Sequence, residues 1–215
     1  MQWTVVVPVK ALARAKSRLS DTATDGLRPG LALAFAQDTV AAALSCTAVG
    51  DVAVVTDDPL AGRELAALGA RIVPEEQAGG LNAALAHAAA VVRRLRPDGA
   101  VASLNADLPA LRPWELTRVL DAAADFPRAF LPDTAGIGTT LLSATRGREL
   151  RPAFGVDSRV RHRASGAMEL ALDAVDSVRQ DVDTGDDLRA ALTLGVGPRT
   201  AAAAARLLIP GQPGG

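Results

Sequence analysis

The sequence of 215 residues has few aromatic side chains, no tyrosine and almost no net charge. Aromatic residues make up 3% of the chain, so few rings are available on which single-stranded bases could stack. The formal net charge of -1 provides no overall basic field that would attract nucleic acid. These two shortages argue against a nucleic-acid-binding protein, and we expect no nucleic-acid partner.

Cysteine, histidine and long apolar runs are also scarce. The single cysteine, Cys46, cannot form a disulfide within the chain, and no set of histidines and cysteines is present that would suit zinc. No apolar run approaches the ~20 residues of a membrane-spanning helix. No basic segment precedes an apolar one at the N-terminus, so we identify no signal peptide. We therefore expect no membrane partner and a cytoplasmic location.

What the chain does contain is an alternation of short β-branched segments with longer segments rich in alanine and leucine. Near-continuous apolar runs such as VVVPV, VAVVT and AVASL are typical of strands covered on both faces. The alternation predicts an α/β fold with a mostly parallel central sheet and right-handed crossovers. The predicted strands cover residues 4–9, 52–56, 71–73, 100–104 and 128–131, and the predicted helices cover residues 31–46, 60–68, 83–94 and 114–123.

The pattern changes after about residue 131. There we predict a short strand over 138–143, an irregular loop over 151–164, a helix over 164–172, a strand over 178–183 and a helix over 185–194. No internal repeat and no linker divides the chain. We therefore expect one domain over residues 1–200 and a partly flexible C-terminal tail over residues 201–215.

Both lysines of the chain follow the first predicted strand. Lys10, Arg14, Lys16 and Arg18 place four cations in nine positions, whereas every other basic residue is an arginine. One interpretation is a solvated surface loop. The other, which we favour, is a polyphosphate site, because ligands of open α/β sheets bind beyond the carboxyl ends of the strands. A lysine ammonium is a compact, mobile point charge that suits such a ligand.

Two further loops follow the second and third predicted strands. Asp58 before a proline has the pattern of a helix N-cap, so we assign it to structure, and we leave Asp57 open with a structural role favoured. The segment QAGGLNAAL has two interpretations of about equal weight. Gly80 and Asn82 belong either to a turn and a helix cap, or to a site that binds the edge of a purine base.

Three aspartates form the candidate metal site. Asp107 follows the fourth predicted strand in the motif NADLP and lies too far ahead of the next helix to cap it. Asp181 and Asp183 are two residues apart in QDVDTGDDL, so on the predicted strand they would point to the same face. Such like charges need a nearby cation, and three carboxylates suit Mg²⁺ that carries substrate phosphates. Thr184 and Asp187 form a capping-box pattern and are assigned to structure.

Two glycine-containing segments, GIGTT and FGVDS, complete the candidate site. Gly138 and Thr139 in the first segment, and Gly155 and Ser158 in the second, would offer free amides and hydroxyls. These groups are the parts of an anion-binding nest. Turns alone could also explain the glycines.

A basic run follows these glycines. Arg159, Arg161 and Arg163 add positive charge directly after FGVDS. We interpret His162, within this run, as a surface imidazole, although it could contact a ligand. We interpret His87, in the middle of a predicted helix, as a structural residue.

In their order along the chain these motifs resemble the guanylyltransferases that make the phosphoenolpyruvyl or phospholactyl guanosine diphosphate intermediate of deazaflavin coenzyme biosynthesis. The motifs are VPVKALARAKSRL, GLNAAL, ADLP, GTTLL, FGxxS followed by a histidine, and DVDTGDDL, and the resemblance spans Val5 to about Arg199. ADLP alone recurs among related nucleotidyltransferases, whereas the first motif and the last two are more specific. The resemblance implies a Rossmann-like nucleotidyltransferase fold of the glycosyltransferase-A type.

The resemblance also implies roles for the site residues. GTP would lie over the first loop and near GLNAAL, and the acceptor phosphate would lie at GTTLL and FGxxS. Mg²⁺ and the carboxylate end of the acceptor would lie at the aspartates. The implied nucleotide-binding residues are Lys10, Arg14, Lys16, Gly80 and Asn82, the implied acceptor-binding residues are Thr139, Gly155 and Ser158, the implied metal ligands are Asp107, Asp181 and Asp183, and the implied catalytic residues are Lys10, Lys16 and Asp107.

The implied reaction joins the GMP moiety of GTP to the phosphate of phosphoenolpyruvate or 2-phospholactate and releases pyrophosphate. Val156, Asp157 and Arg159 stand where such proteins often have proline, glycine and phenylalanine, a departure that bears on the acceptor rather than on the reaction type. A phosphate monoester is largely dianionic at neutral pH, so we expect no general base. The alternatives are a nucleotidyltransferase that acts on another phosphorylated acceptor, such as a sugar, polyol or cofactor phosphate, and a non-catalytic nucleotide-binding regulator.

Overall fold

The computed structural model describes residues 1–12, 27–74 and 79–206, which form strands and helices in alternation. The strands are β1 (Trp3–Pro8), β2 (Val49–Thr56), β3 (Arg71–Pro74), β4 (Ala100–Leu104), β5 (Arg128–Pro132), β6 (Thr139–Ala144) and β7 (Met168–Glu169). The helices are α1 (Arg28–Leu44), α2 (Pro59–Ala66), α3 (Gly80–Leu95), α4 (Pro113–Ala123), α5 (Ser158–Ala164), α6 (Asp176–Arg179), α7 (Gly185–Leu194) and α8 (Pro198–Ala205).

These strands form a seven-stranded sheet in the order β3-β2-β1-β4-β6-β5-β7. β1 pairs in parallel with β2 and β4, β2 pairs in parallel with β3, and β5 pairs in parallel with β7. Of the seven, β6 runs opposite to the rest and pairs antiparallel with β4 and β5. The predicted α/β fold with a mostly parallel central sheet is confirmed.

Helices cover both faces of the sheet because its central strands are apolar on both faces. Successive side chains of a strand point to opposite faces, and β1 shows the consequence. Val5 and Val7 belong to the core that includes Leu116 of α4, whereas Val6 belongs to the core that includes Leu85 of α3. β1 is therefore buried on both sides, and the residues that leave its carboxyl end start from a fixed position.

Most element predictions outside residues 151–183 are confirmed within a few residues. The strand predicted over 100–104 coincides with β4, and the helix predicted over 185–194 coincides with α7. The N-cap at Asp58 and the capping box of Thr184 and Asp187 are confirmed as well.

Three predictions between residues 151 and 183 are wrong. The second half of the loop predicted over 151–164 is the helix α5. The helix predicted over 164–172 is replaced by β7, whose two residues extend the sheet beside β5. The strand predicted over 178–183 is replaced by α6 and an irregular segment, in which the Val182 amide donates to the Asp107 carbonyl at 3.0 Å.

The last described helix packs against the first. Asp38 of α1 is buried, and its carboxylate accepts hydrogen bonds from the Arg199 and Thr200 amides of α8 at 3.3 and 2.7 Å. Residues 201–205 therefore lie in a helix packed on the domain, and the remainder of the predicted tail, from residue 207, lies outside the described residues. None of the described helices is both long and apolar enough to cross a membrane.

Candidate active site

An open cleft of about 710 Å³ lies at the edge of the sheet where the parallel strands end. Its walls come from the segments after β1 and β4, the connection between β5 and β6, and the segments before α5 and α7. A side pocket of about 200 Å³ adjoins it and shares part of its lining. The predicted site residues that line the cleft are Lys10, Asp107, Thr139, Gly155, Ser158, Asp181 and Asp183.

Of the four cations predicted after the first strand, Lys10 lies in the part of the chain that the structure describes. Lys10, after β1, lines both the cleft and the side pocket, and Gly80, at the start of α3, lines the side pocket. Gly80 has a φ of 75°, in the left-handed region that glycine adopts readily, so it allows the chain to turn into α3. Arg14, Lys16 and Arg18, which we predicted to be part of this cationic loop, lie outside the described residues.

Asp58 anchors the segment that leaves β1. Its Oδ1 accepts hydrogen bonds from the Leu60 and Ala61 amides at 2.9 and 3.0 Å, and its Oδ2 accepts one from the Leu12 amide at 2.9 Å. These backbone hydrogen bonds, that of Ala61 foremost, lower the pKa of Asp58 below its ordinary value. The neighbouring Asp57 is exposed and lines the side pocket beside Lys10, so it faces the space where a ligand would lie.

Asn82 has a contact that the sequence did not indicate. It lies inside α3, whose N-cap is Gly79, so the interpretation of Asn82 as a helix cap is wrong. Its Oδ1 accepts a hydrogen bond from the Phe154 amide at 2.7 Å, and its Nδ2 donates to the Phe154 carbonyl at 3.1 Å. Both polar ends of the amide therefore hold the segment before α5, and its predicted role in nucleotide binding stays a prediction.

The three predicted metal ligands all line the cleft, but not for the reason given by the strand pattern. Asp181 and Asp183 lie on an irregular segment, and the backbone bond from Val182 to Asp107 brings that segment to the end of β4. The Nδ2 of Asn105 donates to Oδ2 of Asp181 at 3.4 Å. Within the described ranges no three carboxylate, imidazole or thiol side chains are gathered tightly enough to form a ready metal site. The carboxylates thus share a wall of the cleft rather than a preformed ligand set.

The charge of the cleft nevertheless favours a cation. Among the described residues that line it, five are aspartates and one is a lysine. A cleft of this composition would repel phosphorylated substrates unless cations accompanied them. Oxygen donors without sulfur or imidazole suit a hard cation such as Mg²⁺. The donor set therefore fits the predicted kind of metal.

Asp133 is one of these aspartates and is not among the predicted site residues. Its Oδ1 accepts a hydrogen bond from the Ile137 amide at 3.0 Å, and its Oδ2 accepts one from the Gly138 amide at 2.9 Å. A Cβ at Gly138 would come within 2.4 Å of that carboxylate, so the turn requires glycine. An aspartate followed by glycines in PDTAGIG is a turn pattern that could have identified this residue.

The predicted acceptor site keeps its hydroxyls but not all of its free amides. Thr139 and Ser158 both line the cleft and are 4% and 2% exposed. The Gly138 amide is bonded to Asp133, and the Ser158 amide donates to the Gly155 carbonyl at 3.1 Å. The expectation that these two amides are free is therefore wrong.

His162 is buried, so its interpretation as a surface imidazole is wrong. It is 0% exposed, with Phe130 and Phe154 ring centroids 5.8 and 5.0 Å away. Burial foremost, and then the charges of Arg128 and Arg161, lower its pKa from 6.5 to about 4. The imidazole is therefore neutral at physiological pH.

The three arginines after FGVDS are engaged in structure. Arg159 and Arg163 both pair with Glu169 of β7, and the first of these pairs is 2.7 Å long. Arg161 donates to the Phe154 carbonyl at 3.2 Å. The hydrogen bond from Arg159 is the largest cause that lowers the pKa of Glu169. Their charge supports α5 and β7 more directly than it supports the cleft.

Comparison with known proteins gives this cleft a context. Residues 3–207 match the family described as "Guanylyl transferase CofC like". A phosphoenolpyruvate guanylyltransferase from Streptomyces avermitilis is 81% identical over 214 residues, which cover 100% of this chain and 99% of that protein.

Solved structures of lower identity share the fold. A nucleotidyl transferase from Methanothermobacter superposes with a TM-score of 0.62 at 21% identity, covering 89% of this chain and 97% of that one. The Rv0371C protein of Mycobacterium tuberculosis, in complex with manganese, superposes with a TM-score of 0.56 at 24% identity, covering 90% and 98%. The predicted nucleotidyltransferase fold is thus confirmed. With the match over residues 3–207, the chain belongs to the guanylyl transferase CofC-like family.

Proposed function

We propose that this chain transfers the GMP moiety of GTP to the phosphate of phosphoenolpyruvate and releases pyrophosphate. The phosphoenolpyruvate guanylyltransferase of Streptomyces avermitilis matches this chain over its whole length, which supports the same acceptor here. The observation that carries the proposal is a single cleft that contains Lys10, a wall of carboxylates and the buried hydroxyls of Thr139 and Ser158. 2-Phospholactate remains the alternative acceptor within the same chemistry.

The acceptor phosphate serves as its own nucleophile in this proposal. One of its oxygens attacks the α-phosphorus of GTP, the bond to the β-phosphate oxygen breaks, and pyrophosphate leaves with that electron pair. A largely dianionic phosphate needs no base at neutral pH. The lining agrees with this, because no histidine is among the described residues that line the cleft. Catalysis then depends on positioning and on charge neutralisation.

Each wall of the cleft has a role in this reaction. Lys10, with the undescribed Arg14 and Lys16, would neutralise the triphosphate while pyrophosphate departs. Gly80 and the side pocket would accommodate the nucleotide at the start of α3. Thr139, Gly155 and Ser158 would hold the acceptor phosphate.

We further propose that the metal is Mg²⁺, held by Asp107, Asp181 and Asp183. When bound, it would supply Lewis-acid stabilisation of the phosphate charge. The oxygen-only donor set and the acidic lining of the cleft support this choice. Manganese in the related Mycobacterium structure supports the use of a divalent ion more generally.

The proposal is tested by identifying the product. The purified chain is incubated with Mg²⁺, GTP and one phosphorylated acid at a time. The three acids are phosphoenolpyruvate, 2-phospholactate and 3-phosphoglycerate. We expect a guanosine diphosphate conjugate of phosphoenolpyruvate by mass spectrometry, together with pyrophosphate. Parallel reactions with ATP, CTP and UTP test the base, and EDTA tests the metal. Product formed from a sugar phosphate but from none of the three acids would contradict the proposal.

A further inference from the structure

A buried imidazole lies directly behind the acceptor end of the cleft. Nδ1 of His162 is 3.0 Å from Oγ1 of Thr139, and Nε2 is 3.0 Å from the amide nitrogen of Ala153. His162 is 0% exposed, whereas Thr139 lines the cleft. The ring thus connects the backbone just before Phe154 with a side chain that a ligand can contact.

The two contacts determine which nitrogen carries the proton. A backbone amide can only donate, so Nε2 of His162 must accept from Ala153 and carries no hydrogen. The neutral imidazole then has its hydrogen on Nδ1, which donates to Oγ1 of Thr139. The protonated ring would set two N–H groups against each other at Ala153, and burial opposes that charge as well.

The tautomer in turn determines what Thr139 can offer to the cleft. A hydroxyl has one hydrogen to donate, and its oxygen here already accepts the hydrogen bond from His162. Its own hydrogen is therefore available for a second partner. Phosphate oxygens act as acceptors, and hydrogen bonds in such a chain strengthen one another. Thr139 in this arrangement suits an anionic oxygen in the cleft.

The surroundings keep the ring in this orientation. Phe154 packs edge-on at a centroid distance of 5.0 Å, and Phe130 packs tilted at 5.8 Å. The His162 carbonyl accepts hydrogen bonds from the Ser165 hydroxyl at 2.7 Å and from the Ala167 amide at 3.2 Å. The position of the ring is therefore set before any substrate arrives.

We propose that His162 is a positioning residue for the acceptor, which turns the Thr139 hydroxyl into a hydrogen-bond donor aimed at the acceptor phosphate. The imidazole touches no substrate and transfers no proton. The proposal rests on the proposed function, because that function places the acceptor phosphate at Thr139. It gives the buried histidine a part in acceptor affinity rather than in nucleotide binding.

A first experiment tests the tautomer without any turnover. Nitrogen NMR on ¹⁵N-histidine-labelled protein distinguishes protonated from unprotonated ring nitrogens, and His87→Gln assigns the signals because the chain has two histidines. We expect a neutral His162 at pH 7 with the hydrogen on Nδ1. A hydrogen on Nε2, or a charged ring, would overturn the proposal whether or not the chain turns over GTP.

A second experiment compares two replacements of the ring. His162→Asn retains a donor near the position of Nδ1, whereas His162→Gln retains an acceptor near the position of Nε2. We expect His162→Gln to raise the KM for the acceptor about tenfold and to leave the KM for GTP unchanged. His162→Asn should come closer to the parent chain. Equal effects of both variants on the two substrates would indicate a merely structural role and would overturn the proposal.

A double-mutant cycle with Thr139→Val then tests whether the two residues act as a unit. If His162 acts through the hydroxyl, adding His162→Gln to Thr139→Val should change acceptor kcat/KM little further. Additive losses of acceptor kcat/KM would overturn the proposal that His162 acts through Thr139. His87→Gln is the matched control and should leave both KM values unchanged. Parent protein without guanylyl transfer to any phosphorylated acid would contradict the proposed function instead, and the NMR result would still decide the tautomer.

Discussion

Single aspartates carry much of the proposed chemistry, because the described lining of the cleft has five of them and one lysine. If an aspartate holds a metal, replacing it with asparagine should lower the activity of the enzyme without unfolding the chain. Among the aspartates of the lining, Asp133 has a carboxylate that accepts hydrogen bonds from the Ile137 and Gly138 amides. Asp133 therefore supports its own turn, whereas Asp107, Asp181 and Asp183 are the proposed metal ligands.

We expect Asp107→Asn or Asp183→Asn to lower kcat at least about 100-fold, since the loss of one electrostatic stabiliser of the transition state has that magnitude. Pyrophosphate release with GTP and the acceptor measures kcat, and thermal unfolding measures stability. Asp186→Asn is the matched control, because Asp186 is exposed on α7 and pairs with Arg189. Near-parental turnover in the Asp183 and Asp107 variants would refute the metal assignment.

The buried imidazole should also make the fold sensitive to acid. The folded pKa of His162 is about 4, against about 6.5 in the unfolded chain. Between these values the unfolded state binds a proton that the folded state does not, so the free energy of unfolding falls as pH decreases through that window. The full loss is roughly 3 kcal/mol.

Urea unfolding of the parent and of His162→Phe at pH 7, 5.5 and 4.5 checks this. The variant is expected to be less stable at pH 7 but to lose less stability on acidification. Asp58 and Glu169, whose pKa values are lowered, begin to lose their stabilising effect only near their ordinary values of 3.8 and 4.5. Parallel pH curves for parent and variant would show that the imidazole is not the acid-sensitive group.

The chemistry of individual residues was more predictable than their contacts. Asp107 could be singled out because no local structural role explained it, and it does line the cleft. His162 was misplaced because three arginines around it suggested an exposed face, whereas tertiary packing on Phe130 and Phe154 buries the ring. The contact of Asn82 with Phe154 joins residues 72 positions apart, and no local pattern indicates such a pair.

Elements with local signals were predictable, and elements held by distant contacts were not. Asp58 before Pro59 and Thr184 with Asp187 are short patterns whose capping hydrogen bonds stay within one turn, so the starts of their helices were predicted correctly. β7 has two residues and α6 has four, too few for a periodicity to appear. Their positions depend on pairing with β5 and on packing against α4, which the local sequence does not contain.

The two helix caps accept different numbers of backbone amides, so their removal should lower the free energy of unfolding by different amounts. Thr184→Ala removes one side-chain acceptor within α7 and should cost about 1 kcal/mol. Asp58→Ala removes the acceptor of three backbone amides, including that of Leu12 after β1, and should cost about 2 kcal/mol.

Urea unfolding of both variants measures this difference, and the KM for GTP provides a second comparison. Asp58→Ala should raise that KM because Lys10 lies two residues before Leu12. Thr184→Ala is the comparison variant, because its cap makes no hydrogen bond to the segment after β1. An Asp58 variant no less stable than the Thr184 variant would show that the bond to Leu12 contributes nothing.

At the scale of the whole molecule, the buried carboxylate of Asp38 connects α1 with α8, the first and the last of the described helices. Asp38→Ala would leave the Arg199 and Thr200 amides without their acceptor and detach the start of α8 from α1. We expect a loss of about 2–3 kcal/mol, measured by urea unfolding. Asp38→Asn, which retains one acceptor oxygen, should lose less. Equal stability of the parent and the alanine variant would mean that α8 packs on the domain without this anchor.

Asn82 reaches from α3, on the proposed nucleotide side of the cleft, to Phe154, on the proposed acceptor side. This gives two testable roles for one residue. If Asn82 binds the base, Asn82→Ala should reduce the preference for GTP over ATP. If it braces the segment before α5, the KM for the acceptor should rise instead, and both hydrogen bonds to Phe154 favour this outcome.

We therefore expect Asn82→Ala to raise the acceptor KM about tenfold while the preference for GTP is kept, since two hydrogen bonds to the Phe154 backbone are lost. Asn82→Asp provides the graded comparison. It keeps the acceptor for the Phe154 amide, loses the donor to the Phe154 carbonyl, and should fall between the parent and the alanine variant. Steady-state kinetics with GTP and ATP at several acceptor concentrations distinguish the two roles. A lost base preference with an unchanged acceptor KM would return Asn82 to the nucleotide site.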